Sequence, residues 1–184
     1  MFALEDLGWT DSHTIDFEPH AAAGLVPGRV SEQHRGAYVV FLEDGEIRAD
    51  TAGRLSHEAS GFGDLPAVGD WVAVAFRPSE NTGTIQAVLP RRTKFSRKVA
   101  LSASQEQVVA ANVDTVFLLS SLNEDLNLRR MERYLTLAWE SGARPVIILT
   151  KTDLSAHVEP LVLEVEAIAF GVPVHAISSL TGDG

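Results

Sequence analysis

Between Val113 and Ile177 the sequence alternates apolar runs with amphipathic stretches, and that order leaves this part of the chain few possible folds. Val113-Asp114-Thr115-Val116-Phe117-Leu118-Leu119-Ser120 and Pro145-Val146-Ile147-Ile148-Leu149 are near-continuous apolar runs of strand length, the pattern expected of strands buried on both faces. Between them Leu128, Met131, Leu135 and Ala138 recur at helical spacing over Leu128 to Glu140, with Asn127 placed to cap the start and Gly142 to end the helix. A second helical stretch runs from Val158 to Phe170 and stops at Gly171. It leads into Val172-Pro173-Val174-His175-Ala176-Ile177 as a third strand. Strand, helix, strand, helix, strand implies parallel pairing through right-handed crossovers, an α/β sheet.

Upstream the texture is different. Gly28-Arg29-Val30, Ala37 to Phe41, Glu46 to Ala49, Asp70 to Phe76 and Thr84 to Leu89 are short β-branched or aromatic runs. They are separated by Asp44-Gly45, Gly61, Gly63, Gly69 and Asn81-Thr82-Gly83. Strands so short and closely spaced suggest a small barrel of the oligonucleotide-binding (OB) type, although strand number alone does not exclude another small barrel. Residues 1–26 show Leu4, Leu7 and Trp9 as anchors without a sustained period, and read as an extension that packs locally. The expected organisation is an extension over 1–26, a barrel over 27–90, a basic linker over 91–112 and an α/β segment over 113–184.

Charge sharpens this division. The net charge is −10, yet its distribution is uneven: −9 over residues 1–90, +5 over 91–98 and −6 over 99–184. The basic cluster is Pro90-Arg91-Arg92-Thr93-Lys94-Phe95-Ser96-Arg97-Lys98. It reads either as a solvated linker or as a strap in which Arg91, Arg92, Lys94, Arg97 and Lys98 neutralise phosphates while Phe95 stacks on a base. The chain has no cysteine, and its six histidines are too scattered for a local ligand motif, so no metal site is expected. The acidic start and the lack of an apolar run of about 20 residues give no signal peptide and no membrane span, and a cytoplasmic location is expected.

The chemistry falls at the strand ends, where open parallel sheets bind ligands. Thr150-Lys151-Thr152-Asp153 follows the second apolar strand and looks like the guanine-specificity motif N-K-x-D of GTPases. Ile177-Ser178-Ser179-Leu180 follows the third and resembles the S-A-x motif that closes over the same base. Guanine presents donors at N1 and N2 that one carboxylate can accept together, so Asp153 is the candidate discriminator. The Lys151 stem can lie along the purine face and a backbone N–H near Ser179 can reach O6. Either motif alone is short enough to be a solvated turn; two at successive strand ends are much less easily accidental.

Longer strings carry a family resemblance. Pro90 to Lys98, Glu106-Gln107-Val108-Val109-Ala110-Ala111-Asn112-Val113-Asp114, Asn127-Leu128-Arg129-Arg130-Met131-Glu132-Arg133-Tyr134 and Thr150 to Asp153 resemble, in that order, the ribosome small-subunit-dependent GTPases, and Val68-Gly69-Asp70-Trp71-Val72 fits their barrel. The resemblance spans Val26 to Gly184. It implies an OB-type barrel followed by the first part of a circularly permuted P-loop GTPase domain, whose base-recognition motifs precede the phosphate loop. It also implies late maturation of the small ribosomal subunit as the role, with the barrel and its basic border on ribosomal RNA. GTP and GDP are the implied nucleotides. Mg2+ with GTP and one zinc ion in a tail domain are implied for the longer family members, with none expected on this segment.

Two departures from the family pattern matter. Thr150 stands where the motif has Asn and supplies a hydroxyl only, which bears on affinity more than on base identity. No G-x-x-x-x-G-K-[ST] occurs in the 184 residues, so the chain alone is expected to be catalytically incomplete. Asp50-Thr51-Ala52-Gly53 imitates the D-x-x-G motif but reads as a turn. Arg129, Arg130 and Arg133 fit a surface salt-bridge face as well as a ribosome contact. The function expected is that of a GTPase represented by its base-recognising half. The alternatives are an RNA-binding barrel whose α/β segment is purely structural and a nucleotide sensor that does not hydrolyse.

Overall fold

The computed structural model describes residues 3–98, 106–123 and 125–184, without the side chains of Phe62, Arg97, Lys98 and Glu106. The chain forms two compact units, Met1–Asn112 and Val113–Gly184. In the first, a short 3-10 turn at Glu5–Leu7 precedes helix α1 (Asp11–Ala22). Strands β1 (Val26–Gln33), β2 (Tyr38–Leu42), β3 (Gly45–Thr51), β4 (Trp71–Arg77) and β5 (Thr82–Val88) follow, with helix α2 (Gly53–Glu58) between β3 and β4. These five strands close into a barrel in the order β1-β2-β3-β5-β4, with β1 meeting β4. All pairs are antiparallel except β3 with β5. This is the OB barrel that the strand pattern suggests.

Alternation along the strands fills the interior: Val30, Val40, Leu42, Ile47, Ala49, Val72, Val74 and Ile85 point inward and form one core. Gly28 is required where β1 crosses β2, because a Cβ there would lie 2.5 Å from a Val40 methyl and 2.8 Å from a Leu42 methyl. Asp50 and Thr51 end β3, paired with Thr84 and Ile85, and Gly53 opens α2, so the D-x-x-G string is a strand-to-helix corner.

The extension is more ordered than its sequence suggests. Leu4, Leu7, Trp9 and Phe17 pack with Trp71, Ala73 and Leu89, and Trp9 meets Trp71 edge-on at 4.8 Å between ring centres. Helix α1 escapes periodicity because it buries only His13 and Phe17 and carries Pro19. His13 Nδ1 accepts from the Thr10 N–H at 3.1 Å, while its buried Nε2 has no partner. Burial, reinforced by the nearby Arg92 and Arg29 guanidiniums and opposed by Asp16, holds the His13 pKa below its usual 6.5.

Residues 91–112, expected as a linker, instead contain strands β6 (Lys94–Lys98) and β7 (Glu106–Ala111), paired antiparallel. Val108 and Ala111 of β7 pack on Ala67. Asn112 fastens this end: its amide accepts from the Arg92 N–H at 3.0 Å and donates to Gly69 O at 3.1 Å. The basic run at the start of this segment draws attention away from the apolar Val108-Val109-Ala110-Ala111 that follows.

The second unit runs β8 (Thr115–Ser121), α3 (Leu128–Ser141), β9 (Arg144–Thr150), α4 (Val158–Ile168) and β10 (Val174–Ala176), with a parallel sheet in the order β10-β9-β8. Asn127 caps α3 by accepting from the Arg130 N–H at 2.9 Å, and Gly142 ends it at φ 85°. Met131 and Leu135 of α3 and Val165 of α4 pack with Leu118, Ile147 and Leu149 of the sheet. The expectation that β8 is buried on both faces does not hold among the described residues, because Phe117 and Leu119 on the opposite face are 63% and 61% exposed. Strand order explains this. The chain steps in one direction from β8 through β9 to β10, and two right-handed crossovers in one direction put both helices on the same face.

Candidate functional site

Parallel strands end together, so β9 and β10 deliver their following residues to one edge of the sheet. Ile177 N donates to Leu149 O at 2.8 Å and Thr152 N to Ile177 O at 3.3 Å, which ties the two segments together beyond the strands. At Lys151 the chain turns through a left-handed conformation, φ 61°, uncommon outside glycine and asparagine. A 3-10 turn over Thr152–Leu154 follows and carries Asp153 toward the end of β10.

There Ser178, almost completely buried, donates its hydroxyl to Asp153 Oδ1 at 2.5 Å. The direction of that bond is set by its neighbours. The Leu180 and Thr181 N–H groups approach the same oxygen at 3.3 and 3.2 Å, so the hydroxyl proton is left for the carboxylate. The loop carrying Ser178 is closed by Ser178 N to Asp183 O at 2.8 Å and Gly182 N to Ser178 O at 2.9 Å. Asp153 is thus oriented by one neighbour while remaining exposed, together with Lys151 and Ser179; Thr150 is half-buried. All five residues singled out from the two motifs, Thr150, Lys151, Asp153, Ser178 and Ser179, lie at these two adjacent strand ends.

The end of β8 joins the same edge, a neighbour that the motifs do not reveal. Ser121 is the register partner of Thr150, and Leu122 N donates to Thr150 O at 2.8 Å. Beyond it Ser121 Oγ donates to Asn123 Oδ1 at 2.7 Å. A polar residue three places past the apolar run Val113–Ser120 was the available signal.

The basic segment divides differently from its expectation. Arg91, expected as a phosphate contact, is committed inside the barrel unit: Nε donates to Asp70 Oδ1 at 2.8 Å and Nη2 to Asp70 Oδ2 at 2.6 Å. The guanidinium also donates to Gly63 O at 2.5 Å and Leu65 O at 2.8 Å, and the side chain is 15% exposed against 0% for Asp70. A fully buried carboxylate requires such a partner, and a charge count cannot see it. Arg92 is exposed and its guanidinium meets the Thr10 and Ser12 hydroxyls. Lys94 is exposed and Phe95 half-buried. The Arg97 and Lys98 side chains, expected as phosphate contacts, lie outside the described residues. On α3, Arg130 pairs with Asp125 at 3.0 Å, and Arg129 and Arg133 are exposed.

Among the described residues no three His, Asp or Glu side chains group as a metal site, and the chain has no cysteine. No helix among the described residues is long and apolar enough to cross a membrane.

Comparison with known proteins agrees with this architecture. Residues 88–184 match the family model described as RsgA GTPase. A small ribosomal subunit biogenesis GTPase RsgA from Opitutus terrae is 46% identical over 98% of this chain and 52% of its own length. The protein of the same name from Streptomyces coelicolor is 44% identical over 99% of this chain and 49% of its own. The chain thus spans about half the length of these relatives. Two solved structures share the fold. YjeQ from Thermotoga maritima has a TM-score of 0.67 at 23% identity over 87% of this chain and 54% of its own. YloQ, titled a circularly permuted GTPase, has a TM-score of 0.61 at 20% identity over 85% of this chain and 52% of its own. An OB barrel followed by this three-stranded parallel sheet, with a family match across the latter, places the chain in the RsgA GTPase family.

Proposed function

We propose that this chain carries the RNA-contacting barrel and the guanine-recognising strand ends of a GTPase acting in biogenesis of the small ribosomal subunit. The observation that carries the reading is the Ser178 hydroxyl on Asp153 Oδ1 at 2.5 Å, which joins two motifs on adjacent strands into one oriented carboxylate. In this reading Asp153 accepts from N1–H and the exocyclic amine of guanine. The Lys151 stem covers one face of the ring and the Ser179 N–H reaches O6. Thr150 helps line the site. Adenine has an acceptor at N1 and no amine at C2, so it would leave the carboxylate facing a lone pair.

The 184 residues hold no phosphate-loop motif. Electrostatic stabilisation of the transferring phosphoryl group supplies most of the catalysis in such enzymes, so this chain by itself binds the base and does not hydrolyse GTP. Magnesium would arrive with the nucleotide phosphates. RNA contact falls to Arg92, Lys94, Arg97 and Lys98, with Phe95 beside them, and not to Arg91. The partners proposed are the small subunit with its rRNA and GTP or GDP, in the cytoplasm.

Titration of the labelled chain with GDP and ADP tests the base site. GDP should shift Asp153 and Ser178 resonances at concentrations where ADP does not. Asp153→Asn should lose GDP and gain xanthosine diphosphate, whose C2 carbonyl suits an amide donor. Equal response to GDP and ADP would remove the guanine reading.

A further inference from the structure

We propose that Asn123, on the loop after β8, supplies the amide that the β9 motif lacks and donates to the N7 edge of the purine. This inference rests on the guanine reading above. Thr150 offers one short, half-buried hydroxyl where the N-K-x-D pattern offers a longer carboxamide with two N–H donors, which leaves room for a second residue to donate to the far edge of the base.

The geometry points to β8. The sheet order is β10-β9-β8, and Asp153 is drawn to the β10 side by Ser178. A guanine that presents N1 and N2 to Asp153 turns its opposite edge, with the acceptor N7, toward the β8 side. Ser121 pairs with Thr150 at the end of the ladder, and Leu122 N to Thr150 O at 2.8 Å holds the next residue against β9. Asn123 follows immediately and is exposed.

Its amide is also oriented. Ser121 Oγ donates to Oδ1 at 2.7 Å, and the Asp125 backbone N–H approaches the same atom at 3.4 Å. A backbone N–H can only donate, so the atom it meets is the carbonyl oxygen. The two Nδ2 hydrogens therefore lie on the other arm of the amide, available to an acceptor. Ser121 thus acts as a positioning residue for Asn123, as Ser178 does for Asp153, and three successive strand ends each contribute to one ring.

The test compares GDP with 7-deaza-GDP, which lacks the N7 acceptor, by NMR titration of the 184-residue chain. The unaltered chain should bind GDP about fivefold to tenfold more tightly than the deaza analogue, the value of one hydrogen bond. Asn123→Ala should weaken GDP by a similar factor, leave 7-deaza-GDP unchanged and so erase the difference. Thr150→Asn in the Asn123→Ala background should restore it. Equal binding of the two nucleotides by the unaltered chain, with Asp153→Asn still abolishing GDP binding, overturns the role of Asn123 and leaves the guanine reading intact. If Asp153→Asn changes nothing either, both fall.

Discussion

In the barrel, β4 is buried along Trp71, Val72, Ala73 and Val74, whereas β8 of the α/β unit shows Phe117 and Leu119 to solvent on one face. Both segments are apolar runs of similar length. The barrel closes on itself, and Phe17 with Trp9 covers the outer side of β4 through Trp71 and Ala73. The α/β sheet has three strands, and both crossover helices lie on one face. Hydrophobicity alone therefore does not report how many faces of a strand are covered. Topology decides that, through the number of strands and the direction in which the chain crosses between them.

The strongest challenge to this contrast is Arg91→Ala. It leaves the buried Asp70 carboxylate without its charged partner, with the Ala67 N–H at 2.8 Å as its remaining side-chain contact, and should destabilise the barrel unit by about 3 to 5 kcal/mol. In urea unfolding the probes Trp9 and Trp71 should report the loss, while Trp139 in the other unit keeps its midpoint. A small effect, or a change in salt-dependent RNA binding without loss of stability, would return Arg91 to the phosphate-contacting set. By contrast, replacing Arg92 and Lys94 by Gln should leave stability nearly unchanged and reduce the log–log salt slope of RNA binding by roughly 0.7 to 0.9 per lost contact.

Asn127→Ala removes the N-cap of α3 and should cost the α/β unit about 1 kcal/mol, read as a shift in the Trp139 transition alone. A smaller effect concerns pH. His13 has its pKa lowered in the folded state, so the unfolded chain binds more protons, and stability falls as pH drops through and below 6.5. Between pH 7.5 and 5.5 the Trp9 fluorescence transition should move to lower urea, and His13→Gln should flatten that dependence. An unchanged slope would mean that Asp16, the acid facing His13, offsets Arg29, Arg92 and burial. Smallest of all, Phe117→Ser and Leu119→Ser should each change stability by no more than about 0.5 kcal/mol while reducing binding of an apolar dye. A large loss would show that the open face is buried in solution.

Much of the architecture was legible from local pattern. The five barrel strands, the limits of α3 with Asn127 and Gly142, and the strand-helix-strand order all follow from periodicity and capping, which depend on residues near in sequence. Four features were not. Helix α1 rests on His13 and Phe17, too few to make a periodic stripe. The β6–β7 pair rests on Val108 and Ala111 packing against Ala67, a distant partner that the short apolar run after the basic cluster does not reveal. Arg91 reads as surface charge until Asp70, twenty-one residues earlier, is brought beside it. The exposed face of β8 could not be read from its run of apolar residues.

The candidate site divides along the same line. The position of Thr150, Lys151, Asp153, Ser178 and Ser179 at adjacent strand ends was legible in the sequence because short motifs follow recognisable strands. Folding added the relation between them: the Ser178 hydroxyl on Asp153 spans 25 residues, and Asn123 reaches the same sheet edge only because β8 pairs with β9. The sequence by itself determined the barrel strands, the alternating strands and helices of the α/β unit and the residues that stand at its strand ends, since local sterics, capping and burial period decide these. Tertiary structure alone decided which charges are spent on each other and which polar groups converge, because these depend on distances between residues far apart in the chain.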